Sequence, residues 1–161
     1  MRMSEGVEWA LHSCVNLTWL ELGEAVTAAR LAEFYRLPAA YLNKQLQALA
    51  RAGILTSTPG PRGGFRLARA PEDITLLDVV TAIEGPEDAF RCEGILRQGP
   101  GGREDVDYRS VCVVSQSMRR AELAWRRELA AQTVADIRAT VEERHPGTPG
   151  ATRNRFANLR A

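Results

Sequence analysis

Apolar residues recur at helical spacing through the first fifty positions. Val7, Leu11, Cys14, Val15, Thr18 and Leu22 fall on one stripe and predict a first helix beginning after Ser4 and ending at Gly23. Ser4 is placed to cap it, and Glu5 and Glu8 lie in the first turns, where the helix dipole favours acids. Thr27 caps a short second helix carrying Ala28, Leu31, Ala32 and Phe34. A third helix runs from about Pro38 to Ala52, with Leu42, Leu46, Leu49 and Ala50 inward, and Gly53 stops it. The pattern then changes. Residues 54–58 and 65–68 read as two short strands joined by Pro59-Gly60-Pro61-Arg62-Gly63-Gly64, a hairpin with a long basic tip. Three helices followed by a hairpin is the order of a winged helix-turn-helix.

Further on, Thr75 caps a helix over 76–83 that Gly85-Pro86 closes. A polar, Gly-rich stretch, 86–110, holds Cys92 and leads to Cys112. One long helix is predicted from about Val113 to Arg144. Val114, Met118, Ala121 and Trp125 form one stripe, and Val134, Ile137 and Val141 continue an apolar face. Such a helix is too long for one small domain to bury, which predicts a homodimer. The tail from His145 reads as disordered. The expected fold is therefore mainly α with a small β-hairpin wing. A winged helix-turn-helix spans 1–85, a loop 86–112, a dimerisation helix 113–145, and a disordered tail 146–161.

Composition narrows the function. The 161 residues are 45% hydrophobic and 25% charged, which excludes wholesale disorder. No apolar run is long enough to cross a membrane, and the first residues lack the apolar core of a signal peptide. A cytoplasmic location, at the nucleoid, is expected. The net charge of +1 hides a block from Arg30 to Arg69 with seven basic residues and one acid, Glu33. Such a block suits an anionic partner, double-stranded DNA first. The third helix offers Tyr41, Asn43, Lys44, Gln45 and Gln47 on its predicted exposed side. Asn and Gln pair with adenine and Lys with guanine in the major groove, and Tyr41 suits a phosphate. In the wing, Arg62 supplies charge and Gly63 permits close approach to the backbone. A two-fold dimer would set two recognition helices one DNA turn apart on a near-palindrome.

Three cysteines at distant positions make no disulfide framework. Cys14 falls in the apolar stripe of the first helix and reads as core. Glu8 and His12, four residues apart, stand about 40° apart on one helix face and can approach one ion together. Each also has an ordinary reading, as a helix-start acid and a surface histidine. Trp9, between them, reads as packing.

Several segments together resemble one bacterial family. They are the Met-Arg-Met-Ser start, Leu37-Pro38-Ala39-Ala40-Tyr41-Leu42, Ala52-Gly53-Ile54-Leu55, Gly63-Gly64-Phe65-Arg66-Leu67-Ala68-Arg69, Ile74-Thr75-Leu76 and Ala82-Ile83-Glu84-Gly85. The chain is similar over about residues 1–145 to the Rrf2 family of winged-helix transcriptional regulators, and within it to redox-sensing members. The resemblance implies a homodimer with crossed C-terminal helices and an iron–sulfur cluster that controls DNA binding. Many members place three closely spaced cysteines in the loop before the dimer helix, whereas this loop has Cys92 and Cys112 alone. Members with only two loop cysteines take an acid and a histidine from the first helix of the other subunit. Carried over, Glu8 and His12 of one subunit join Cys92 and Cys112 of the other around a 2Fe–2S cluster. Replacing thiolate by histidine raises the potential of such a centre. Trp9 then becomes the candidate redox switch toward the DNA-binding helices.

Other readings compete. A cluster-free regulator would sense oxidants through a Cys92–Cys112 disulfide, or bind a small molecule. A zinc enzyme built on Glu8, His12 and the cysteines is disfavoured, because four protein ligands leave no open catalytic position. No Gly-rich nucleotide loop follows a strand and no nucleophile–base motif stands out, so no enzyme is expected. A partner-binding module with a degenerate wing would show affinity indifferent to salt, unlike a DNA binder.

Overall fold

A computed structural model describes residues 3–21, 23–60 and 63–159. Helix α1 (Glu5–Leu17), α2 (Ala28–Tyr35) and α3 (Ala39–Arg51) precede an antiparallel hairpin of β1 (Leu55–Thr58) and β2 (Gly64–Leu67). Leu55 pairs with Leu67 and Thr58 with Gly64. Then come α4 (Leu76–Glu84), α5 (Tyr108–Val111), α6 (Val113–Ala130), α7 (Val134–Arg144) and α8 (Thr148–Asn158). The fold is mainly helical with a two-stranded wing, as the sequence pattern predicts.

The core is the meeting of α1, α2, α3, α4 and the wing. Leu31, Leu42, Leu46, Leu49, Ile54 and Val79 are fully buried there, with Cys14 and Val26 among them. Thr27 caps α2 by accepting from the Arg30 N–H, and Thr75 and Asp78 form a reciprocal capping box on α4. The helix-turn-helix corner turns on Arg36, which holds a left-handed φ of 58°. The wing is pinned from the side: Val26 and Phe65 exchange both backbone hydrogen bonds, at 2.9 and 2.8 Å. Gly64 (φ 140°) permits this, since a Cβ there would lie 2.4 Å from the Val26 carbonyl carbon.

Four expectations change. First, α1 ends at Leu17, well before Gly23, and Leu22 lies outside the described residues. Ser4 does not cap it through its side chain: its N–H and hydroxyl donate to Glu84 Oε1 instead, at 2.8 and 2.6 Å.

Second, the long helix over 113–144 is two helices. Thr133 and Asp136 form a capping box that starts α7. The backbone beside it pairs with the start of α4, Leu76 N–H to Gln132 O and Val134 N–H to Ile74 O, each 2.9 Å. Those bonds take groups that a continuous helix would need.

Third, the segment 86–112 is not all irregular. It contains a 3-10 turn over Ile95–Gln98 and the short α5, capped by Asp107.

Fourth, the tail expected to be disordered forms α8. Phe156 is buried and stacked on Phe34 with ring centroids 4.4 Å apart. The Arg155 guanidinium covers the Phe34 ring at 4.8 Å and donates to Phe34 O at 2.9 Å. Arg30 donates to Phe156 O. The aromatic contact and the charge-assisted bonds supply what the local Pro/Gly-rich sequence does not.

Candidate nucleic-acid interface and sensor residues

Helix α3 presents Tyr41, Asn43 and Lys44 to solvent near its N-terminus, and Gln47 is half-buried. Gln45 is not on this face. It is buried at 7% exposure and its side chain lies against Gly6 of α1, where a Cβ would come within 2.9 Å of Gln45 Oε1. Helical spacing alone misassigns it, because the glycine that admits it is on another element. Gly63 is buried at the base of the wing turn, its N–H donating to Gly60 O at 2.9 Å. A Cβ there would lie 2.0 Å from Thr58 O, so the residue serves the turn. Arg62 lies outside the described residues. Arg69 ties the wing to α4, donating to Asp73 O at 3.0 Å and lying 3.6 Å from Asp78.

On α1 the side chains of Glu8 and His12 are both exposed, one turn apart on one face. Trp9 between them is half-buried, its ring 5.3 Å from that of Tyr35 on α2. Asn16 donates to Tyr35 Oη at 2.7 Å, and burial pushes the Tyr35 phenol up to about 12. Tyr35 and Asn16 are contacts of this face that sequence reasoning missed. A polar Asn on the buried side of α1 was the one available signal.

Cys14 is fully buried, and burial pushes its thiol up to about 12, the state of an inert core cysteine. Cys92 and Cys112 are free and half-buried. Cys92 lines a cavity of about 650 Å³ between the 86–93 segment and α6, and Cys112 directly precedes α6 without capping it through its side chain. Among the described residues no three His, Cys, Asp or Glu side chains of the chain converge as metal ligands. Glu8 and His12 lie one turn apart on α1, Cys92 lies in the 86–93 segment and Cys112 at the start of α6.

Beside Cys112 the surface is apolar. Val113 (72% exposed), Val114, Met118 and Leu123 are exposed apolar residues of α6, with Val114 and Met118 on one face. No helix of the described residues is long and apolar enough to cross a membrane.

A three-helix core, an exposed polar helix face and a flanking hairpin define a winged-helix DNA-binding protein. The profile of the family "Rrf2: Iron-dependent Transcriptional regulator" matches residues 3–140, and the chain belongs to this family. It is 32% identical over 139 residues to YwgB of Bacillus subtilis (strain 168), a protein named for the helix-turn-helix type of transcriptional regulator, covering 84% of this chain and 85% of that one. YffB of Lactococcus lactis subsp. lactis (strain IL1403), named likewise, is 29% identical, with 85% and 86% covered. Among solved structures, T. potens IscR superposes with a TM-score of 0.64 at 21% identity, over 90% of this chain and 91% of that one. CymR, the global cysteine regulator of B. subtilis, superposes with a TM-score of 0.63 at 21% identity, over 87% and 98%. These two likenesses show the fold. Like its relatives, the chain is a transcriptional regulator and not an enzyme.

Proposed function

We propose that the chain acts in the cytoplasm as a homodimer on a near-palindromic DNA site, and that its affinity follows the oxidation state of a 2Fe–2S cluster held between subunits. The observation that carries this reading is the split donor set. Glu8 and His12 face solvent together on α1, Cys92 and Cys112 belong to the segment leading into α6, and the described residues of one chain bring no three such donors together. A second copy supplies what is missing, and the exposed Val113, Val114 and Met118 next to Cys112 give it apolar surface to pack on.

The donors fit the group. Cys92 and Cys112 are the accessible thiols and would hold one iron, while Glu8 and His12 from the other subunit would hold the second. When bound, such a cluster supplies a one-electron couple, and a histidine ligand raises its potential above that of an all-thiolate centre. Trp9 carries the response inward: it shares α1 with both donors and packs on Tyr35 at the end of α2, the first helix of the helix-turn-helix. α1 also contacts α3 directly, so a shift of α1 re-aims the exposed Tyr41, Asn43 and Lys44. A difference of about 1–3 kcal/mol between the two states is enough for a switch of 5- to 150-fold.

Anaerobic purification followed by visible absorption, iron and sulfide analysis, and DNA affinity before and after dithionite tests this. Reversible bleaching with a change in affinity supports it. Colourless, iron-free protein after anaerobic reconstitution defeats it and leaves a regulator with another signal.

A further inference from the structure

Helix α8 brings positive charge to the helix-turn-helix. The match to the family profile ends at residue 140, so α8 (Thr148–Asn158) lies beyond it. From Arg144 to the end the sequence holds four arginines and no acid. The stack of Phe156 on Phe34 docks α8 on α2, the first helix of the helix-turn-helix.

The guanidiniums gathered on α2 and α8 have no carboxylate partner. Arg153 and Arg155 are exposed; Arg153 meets Trp19 O at 3.5 Å, and Arg155 donates to Phe34 O. Arg30 donates to Phe156 O, and its Nε is buried without a hydrogen bond. Arg36 is exposed where α2 ends. None of these four forms an ion pair among the described residues. Glu33 is the one acid of α2, and Glu142 of α7 is taken up by Trp19 Nε1 and Arg138. Cations grouped without counter-charge raise the local potential and draw a polyanion. Arg155 is also held flat over the Phe34 ring, with one donor spent on a neutral carbonyl, so its remaining donors are preset for a phosphate. In a helix-turn-helix the second helix enters the major groove while the first crosses the DNA backbone. An element docked on α2 is carried to that backbone.

We propose that α8 is an added phosphate clamp. Arg153 and Arg155 donate to phosphate oxygens of the DNA strand that α2 crosses, and Arg30 and Arg36 add to the positive potential there. Such contacts fix position and add affinity without reading sequence. The inference deepens the DNA-binding reading and rests on it, but it does not depend on the cluster.

Fluorescence anisotropy of the full-length protein on a labelled duplex tests it, across a series of salt concentrations. Phosphate contacts ignore sequence, so a mixed-sequence duplex of about 30 base pairs serves as the probe. Arg153→Gln and Arg155→Gln should each flatten the slope of log affinity against log salt by about 0.9 per subunit. The loss should be the same on a second duplex of unrelated sequence. Arg153→Lys, which keeps the charge, should keep the wild-type slope. Arg153→Gln should also unfold at the wild-type temperature, because its one protein contact is long. The proposal is overturned if both Gln variants keep the slope of a salt-dependent wild type, or if Arg153→Lys loses as much as Arg153→Gln. A wild type whose affinity ignores salt would overturn the DNA-binding reading as well, which separates the two failures.

Discussion

The ring of Trp9 lies 5.3 Å from the ring of Tyr35 and is inclined to it by 55°. Tyr35 in turn meets Phe34 edge-on at 5.2 Å, and Phe34 stacks on Phe156 at 4.4 Å. A continuous file of rings thus joins the helix bearing Glu8 and His12 to the helix-turn-helix and to α8. Trp9→Ala should keep the iron content of the wild type and lose most of the difference in DNA affinity between oxidised and reduced protein. Fluorescence anisotropy with labelled operator DNA, repeated with dithionite, measures this. An unchanged ratio would remove Trp9 from the coupling.

The end of the same file makes α8 a structural element. Phe156→Ala should lower stability by about 3–5 kcal/mol, the range for truncating a buried phenylalanine. Urea denaturation followed by circular dichroism reads it. A loss under about 0.5 kcal/mol is what a solvated tail would give, and would mean that α8 does not dock.

Two wing glycines separate sterics from backbone conformation. Gly60 has φ 100° and no other described residue within 4 Å of where a Cβ would lie, whereas Gly64 has φ 140° and faces the Val26 backbone at 2.4 Å. Gly60→Ala should cost about 1–2 kcal/mol for its φ alone. Gly64→Ala should cost ~3 kcal/mol or more, and weaken DNA binding by displacing the wing. Equal costs in thermal unfolding would contradict the Val26–Phe65 pairing.

The cysteines should divide by reactivity. Cys14, with its thiol near 12, should resist iodoacetamide in the native protein, while Cys92 and Cys112 of metal-free protein react. The sign for stability follows from a raised pKa in a folded protein. The contribution of Cys14 is intact below the ordinary thiol range and is lost as pH rises toward about 12. Cys14→Ala should flatten that alkaline loss, and mass spectrometry after labelling reads the reactivity directly.

Much of this molecule is written in local sequence. Thr27, Thr75 and Gly53 mark helix ends through capping and left-handed geometry, and the Pro/Gly cluster at 59–64 marks the wing. The Thr133–Asp136 box was equally local, but an apolar face running on through Val134 and Ile137 concealed it. Gln45 and α8 were not legible in the same way. Gln45 is buried because Gly6, on another helix, leaves room for it, and α8 orders because Phe156 finds Phe34 across 122 residues of chain. The donor residues were legible as residue types. Their placement on α1 and on the segment leading into α6 follows from the order of the elements.

Complementation between subunits tests the central claim most directly. One chain carries Glu8→Ala and His12→Ala, the other Cys92→Ser and Cys112→Ser, and the two are co-expressed with different tags and purified anaerobically as the mixed dimer. Each doubly substituted chain alone should be free of iron and sulfide. The mixed dimer should regain one of its two sites, with about half the iron and sulfide of wild type and a spectrum that bleaches with dithionite. An iron-free mixed dimer, or a full complement of iron in either substituted chain alone, would contradict a cluster shared between subunits.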